Sequence, residues 1–196
     1  MKNIGLSITA IALLTIIGCK ENKKDAEIIA AEKTIEVVEN NIEKAVSKKV
    51  TLRLEPKSES TASGKAQFAE VDGGVAFYME LSGLTPGVHA VHIHEKSDCS
   101  SPDGKSTGGH WNPTMSKHGK WGDAEGFHKG DIGNLTADEN GNGKIKMETD
   151  EWCIGCDDEN KNILGKAIIV HQGVDDYKTQ PTGAAGGRVS CGGIIE

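Results

Sequence analysis

From Val50 onward the chain alternates. VTLRLE (50–55), AQFAEV (66–71), VAFYMEL (75–81) and HAVHIHE (89–95) carry strand-type alternation of apolar and polar residues. A period of two marks strands with one buried face, since successive side chains leave a pleated backbone on opposite sides. Turn residues separate these runs. NLTADENGNGKIKMET (134–149) predicts a hairpin around Asn140–Gly143. KAIIVH (166–171) reads as a short buried strand, and RVSCGGII (188–195) as another. Seven or eight short strands with Gly-rich turns predict an all-β sandwich or barrel. Two stretches, 97–134 and 172–187, break the rhythm and read as long loops on that scaffold, where function usually sits.

Before Val50 the pattern changes. Residues 20–49 contain no Gly, Pro or aromatic residue, and Ile28, Ile35 and Ile42 recur every seven positions, as do Ala31, Val38 and Ala45. That spacing predicts a short amphipathic helix, and alanine at the second seam position favours a solvated stalk over a dimerisation helix. Residues 1–18 pair a lysine with an apolar run from Ile4 to Ile17, then small residues. This is the order of an export signal, and the run is too short for a spanning helix. The expected division is a signal over 1–18, a stalk over 19–49 and one domain over 50–196.

Composition narrows the function. Twenty-five glycines and 4% aromatic residues suit a loop-rich β protein. The net charge of −7, with no basic stripe, excludes a nucleic-acid partner. Seven lysines balance seven acids in 20–49, so the β domain carries the whole of that negative charge. Beyond Cys19, the cysteines are Cys99, Cys153, Cys156 and Cys191. In an oxidising compartment four cysteines allow three pairings, and counting does not choose among them.

The chemistry gathers on histidine. HWNPTMSKHGKWGDAEGFHKGDIGN (110–134) holds three of the chain's seven histidines and no apolar period. A loop so poor in core residues needs something other than packing to order it. His92 and His94, at i and i+2 of a strand, point to one face and reach one metal together; His89 points the other way and reads as structural. His110, His118, His128 and Asp131 are four candidate ligands from the loop, and His171 ends a buried strand near Asp175 and Asp176. Imidazole suits copper and zinc, and three histidines with a carboxylate close a tetrahedral zinc shell that would order the loop.

AVHIHE, GGHWNP, SKHG, FHKGDIGN, VHQGVDD and GRVSCGGI, in that order, closely resemble copper/zinc superoxide dismutase over about residues 50–196. The resemblance implies an eight-stranded Greek-key β-barrel with long metal-binding and electrostatic loops. It implies copper on His92, His94, His110 and His171, and zinc on His110, His118, His128 and Asp131, with His110 bridging. It further implies a carboxylate at Asp175 linking a copper-ligand to a zinc-ligand histidine, an anion-guiding Arg188, and a Cys99–Cys191 disulfide. The implied activity is disproportionation of superoxide to dioxygen and hydrogen peroxide, with a short electrostatic loop in which Lys178 adds a candidate steering charge. Subunit pairing varies within the family, so a homodimer stays open. Ile16 to Cys19 separately resembles a bacterial lipobox, implying lipidation of Cys19 and a membrane-anchored, extracytoplasmic protein on a periplasmic or cell-surface face.

WCIGC (152–156) has the letters of a thioredoxin redox motif. That chemistry needs the first cysteine at a helix N-terminus, whereas here the flanks are acidic and no βαβ pattern is present. A local Cys153–Cys156 disulfide is the expectation. Two other readings remain on the sequence alone. One is a non-catalytic metal-binding or copper-delivery domain on the same fold. The other is a thiol–disulfide lipoprotein, for which Cys153→Ser would abolish function; the dismutase reading expects little effect of that change on catalysis.

Overall fold

The computed structural model describes residues 46–196. The signal, Cys19 and most of the stalk expected before Val50 lie outside the described residues. The first strand starts earlier than the alternation suggested, so that Val46–Lys49, expected in the stalk, is strand. In chain order the strands are β1 (Val46–Pro56), β2 (Ser63–Val71), β3 (Gly74–Ser82), β4 (Gly87–His94), β5 (Asp131–Ala137), β6 (Gly143–Thr149), β7 (Ala167–His171) and β8 (Arg188–Gly193). They close a barrel in the order β1-β2-β3-β6-β5-β4-β7-β8, all neighbours antiparallel. The non-sequential neighbours β3/β6 and β4/β7 make it a Greek key.

Alternation fills the interior. Val50, Leu52 and Leu54 from β1, Ala66 and Phe68 from β2, and Val75, Phe77, Met79 and Leu81 from β3 all join one core. Phe68 and Phe77 meet with ring centroids 4.8 Å apart, and Trp152 packs edge-on against both. The expected hairpin at 134–149 is looser than its sequence suggests. β5 and β6 are paired only at Ala137 and Gly143, because β6 runs along β3 from Val75↔Thr149 to Leu81↔Gly143 while β5 runs along β4.

β4 and β7 place the site. Val91 and Ile93 of β4, and Ile168 and Val170 of β7, point into the core. By the period of two, His92, His94 and His171 then leave the outer face. They are buried nonetheless, because the loops at 95–130 and 172–187 fold over them. Ala167 and Ile169, also on the outer side of β7, pack with Cys191 and Cys99 under the same cover.

Candidate metal centre

Six of the seven histidines converge under the two loops. The donor atoms of His92, His94, His110 and His171 lie within 4.8 Å of one another, as do those of His110, His118, His128 and Asp131. All seven side chains are buried. His110 belongs to both sets and is held beside the end of β4 by a bridge to His94 and by the Trp111 N–H donating to the Ile93 carbonyl at 2.8 Å. A bulge between Val91 and His92 brings His92 opposite Asp131 at the start of β5.

The hydrogen bonds choose which nitrogen each ring offers. His94 Nδ1 donates to the Gly108 carbonyl at 2.9 Å, and His171 Nδ1 faces the Gly186 carbonyl at 3.3 Å. The Asp175 carboxylate takes His92 Nε2 on one oxygen and His118 Nε2 on the other, both at 2.8 Å. The nitrogens left without a hydrogen-bond partner are His92 Nδ1, His94 Nε2, His110 Nε2, His118 Nδ1, His128 Nδ1 and His171 Nε2. A buried polar atom without a partner is costly. Six of them, one per ring and converging, are a donor set for metal: imidazole nitrogens of the kind copper and zinc take. The residues therefore fit both metals that the sequence pointed to.

Charge separates the two halves. Burial, reinforced by the neighbouring His110, holds His94 far below the usual imidazole range, and His171 is depressed by burial and by His92. Both are neutral at pH 7. Burial also lowers His110, against its hydrogen bond to Asp131, to about 4. Around Asp131 the balance tips the other way. Burial would raise its carboxyl, but the His110 hydrogen bond, the close approach of the His118 and His128 rings at 3.0 and 3.3 Å, and the His128 main-chain N–H hold it well below the carboxylate range. Burial likewise opposes charge on His118, yet its contacts with Asp131 and Asp175 raise it to about 9. Asp175, despite burial, is kept ionised by His118 and His92.

Arg188 sits beside the first histidine set because β8 pairs it with His171 of β7. Its guanidinium donates to the Gly104 carbonyl at 2.8 Å, Thr107 Oγ1 at 3.0 Å and the Gly108 carbonyl at 2.8 Å. Those bonds fix its pose over a short 3-10 turn, Lys105–Thr107. A cavity of about 330 Å³ runs past Arg188 to His94, His110 and His171, with Asp103 and Lys105 also on its wall. Lys178, expected as a steering charge, does not line it; its neighbour Asp176 instead ties the turn by accepting from the N–H groups of Lys178 and Thr179.

The other expected residues fall as follows. His89 is structural: its ring lies between the Thr85 and His171 carbonyls, each 2.8 Å away. Cys99 and Cys191 form a disulfide, as do Cys153 and Cys156. No helix begins at Cys153, which lies in a loop bridged to Asn162, so the geometry of a thioredoxin motif is missing. Sequence reasoning missed three supports. Gln180 clamps the main chain of His118, accepting from its N–H at 2.9 Å and donating to its carbonyl at 2.8 Å. Asn134 does the same for Asp175, at 2.9 and 3.0 Å. Gly183 leaves room for that carboxylate, since a Cβ there would fall 1.8 Å from Asp175 Oδ1. No spacing rule marks an amide that bonds across a loop, so only the fold reveals them.

Comparison with known proteins follows the same line. Residues 62–194 match the family model described as copper/zinc superoxide dismutase. A protein named Superoxide dismutase [Cu-Zn] 2 from Aquifex aeolicus is 37% identical over 140 residues, 70% of this chain and 81% of that relative. One named Superoxide dismutase [Cu-Zn] from Caulobacter vibrioides is 38% identical over 136 residues, 67% of this chain and 78% of that relative. The crystal structure of a SOD-like protein from Bacillus subtilis superposes with a TM-score of 0.66 at 31% identity, covering 74% of this chain and 97% of that one. With the family match spanning well over half its length, the chain belongs to the copper/zinc superoxide dismutase family.

Proposed function

We propose that the protein disproportionates superoxide, two anions and two protons giving dioxygen and hydrogen peroxide, at a copper site built from His92, His94, His110 and His171. The neighbouring set of His110, His118, His128 and Asp131 would hold zinc. The observation that carries this reading is His110, whose Nδ1 lies 3.0 Å from Asp131 while its Nε2 turns unpartnered toward the other three histidines. One ring thereby belongs to two donor sets. When bound, copper supplies the one-electron couple the reaction needs, and zinc supplies fixed positive charge behind His110.

The chain's own residues do the rest. Arg188, fixed by three hydrogen bonds, presents a permanent cation where the cavity meets His94, His110 and His171. A small anion is drawn there against the overall negative charge, because a narrow low-dielectric channel focuses a local field. His110 Nε2, when not engaged by metal, would hold a proton for the peroxide product, while Asp131 keeps the other side of the ring in place. Asp175 orients one ring of each set, and the 172–187 loop that carries it walls the channel.

The test is superoxide dismutation by the full chain loaded with copper and zinc and assayed for both metals. Turnover that vanishes when copper is removed supports the enzyme. Full loading without turnover overturns it in favour of a non-catalytic copper-handling domain. We place the protein outside the cytoplasm, anchored through a lipidated Cys19. Ile16–Cys19 and two disulfides in one domain support that reading. Among the described residues no helix is long and apolar enough to cross a membrane. Mass analysis of the mature N-terminus, with Cys19→Ala as control, checks the anchor; an unacylated N-terminus other than Cys19 refutes it.

A further inference from the structure

The reaction makes no use of WCIGC, yet this motif grips the chain between two zinc-site residues. Trp152 is 1% exposed, and its indole Nε1–H donates to the Lys129 carbonyl at 2.8 Å. Lys129 directly follows His128 and lies two residues before Asp131. The Lys129 ammonium in turn pairs with the carboxylate of Glu151, the residue before Trp152. From the loop side, Trp121 packs edge-on against Trp152, ring centroids 5.4 Å apart, and at a tilt against Phe127, the residue before His128, at 4.8 Å. Main chain and flanking side chains of the 127–129 segment thus all lead to one indole.

The disulfide loop fixes that indole. Cys153 is stitched to the following strand-like segment, its N–H donating to the Lys161 carbonyl at 2.9 Å and its carbonyl accepting from Ile163 at 3.1 Å. Asn162 closes the turn from inside, accepting from the Gly155 N–H at 3.0 Å and donating to the Cys156 carbonyl at 3.1 Å. Outward ties run to the barrel: the Ile154 N–H donates to Glu70 of β2 at 2.9 Å, and Lys48 of β1 donates to the Ile154 carbonyl at 2.6 Å.

His128 depends on this buttress more than Asp131 does. Gly130 is secured separately, its carbonyl accepting from Ile93 of β4 at 2.8 Å and its N–H donating to Trp111 at 3.0 Å. The main chain of His128 bonds only back to Asp131, its N–H donating to the carboxylate at 2.8 Å and its carbonyl accepting from the Asp131 N–H at 3.0 Å. We propose that Trp152, locked by the Cys153–Cys156 loop and assisted by Glu151, is a positioning residue for the zinc site that sets the place of His128. The proposal rests on the assignment of zinc to His110, His118, His128 and Asp131.

The experiment uses the full chain, free of copper, as wild type, Trp152→Phe, Glu151→Ala and Cys153→Ser/Cys156→Ser. Cobalt(II) is titrated into the zinc site for its visible spectrum, and zinc release to a chelator is timed on zinc-loaded samples. Phenylalanine keeps an aromatic ring in the core and lacks only the N–H donor. Trp152→Phe is expected to shift the cobalt bands and speed zinc release roughly two- to tenfold, the worth of one hydrogen bond. The other two variants move in the same direction, and copper release from copper-loaded samples stays at the wild-type rate. A melting temperature lowered in metal-free Trp152→Phe, with wild-type cobalt spectrum and zinc release, makes Trp152 merely structural and overturns the proposal. Should that variant not fold, wild-type zinc release in both other variants overturns it equally. No tetrahedral cobalt spectrum in the wild type removes the zinc assignment itself, and this inference with it.

Discussion

Asp175→Ala tests whether one carboxylate holds both halves of the metal centre. The residue is 1% exposed, and its carboxylate accepts from His92 Nε2 and His118 Nε2, each at 2.8 Å. Removing it leaves two buried ring donors without a partner, at about 1–3 kcal/mol each, or roughly 2–6 kcal/mol together. For a domain of this size that lowers the melting temperature of the metal-free protein on the order of 10 °C. Metal affinity falls as well, because His92 and His118 lose the bond that fixes their tautomers; supporting bonds of this type are typically worth about 10–100-fold. Both copper and zinc are expected to weaken, read by competition against a chelator of known affinity. Asp175→Asn separates the two arms. An amide offers one acceptor oxygen and one donor group, so it satisfies one ring and faces the other with an N–H. One metal is then lost preferentially. If Asp175→Ala melts within about 1 °C of wild type and binds both metals unchanged, the bridging argument is wrong.

Zinc binding to the metal-free protein is expected to release a proton from His118, which is raised to about 9 by Asp131 and Asp175 and so is charged at pH 7.5. Calorimetry in two buffers of different ionisation heat checks this, and zinc affinity should rise with pH up to about 9; an affinity flat from pH 7 to 9 refutes it. Because His110 is held down to about 4, the unfolded chain takes up its proton first, near 6.5. Its contribution to the stability of the metal-free fold is complete above that pH and is lost as pH falls toward 4, to be followed by urea melts across that range. Arg188→Ile should lower kcat/KM roughly tenfold with both metals still bound, while Lys178→Gln, outside the cavity, should change little. An unchanged rate in Arg188→Ile moves the guiding charge to Lys105. Replacing Cys99 and Cys191 by serine opens a link between residues 92 apart and should cost roughly 4–5 kcal/mol of stability by chain entropy, measured by denaturant unfolding.

Much of this was legible in the sequence because two periodicities carry it. The alternation in β1 to β4 is visible as letters, and it also orients His92 and His94 away from Ile93 before any coordinates are known. The first residues of β1 were not legible. Val46–Lys49 fits the end of a heptad as well as the start of a strand, and only pairing with Val71 and Ala69 decides. The hairpin at 134–149 forms, but pairs only at its tip, for a related reason. Turn chemistry at Asn140–Gly143 shows that the chain reverses, but not that each arm then takes a different partner. The histidine sets needed the family resemblance, since spacing alone does not say which loop residue bridges. The amide clamps of Gln180 and Asn134 had no signal at all. They join residues 62 and 41 positions apart through side chains common to surface loops.

The two halves of the centre meet the problem of burying polar rings in opposite ways, and His110 stands where the ways join. On the His94 and His171 side, burial keeps the rings neutral, and carbonyls of Gly108 and Gly186 take the nitrogen that points away. On the Asp131 side, a carboxylate placed among three rings lets His118 keep a proton, so the pocket carries its own compensating charge. A neutral site offers its nitrogens without displacing protons; a charge-compensated site must exchange a proton for a cation. Asp175 touches one ring of each kind, so it couples a proton-free site to a proton-bearing one. With zinc on the proposed set, its loss is expected to return a proton to His118 and change the charge facing Asp175, whose other oxygen orients His92. Metal occupancy in one half is thereby linked to ring orientation in the other, through a path of two hydrogen bonds on a single carboxylate.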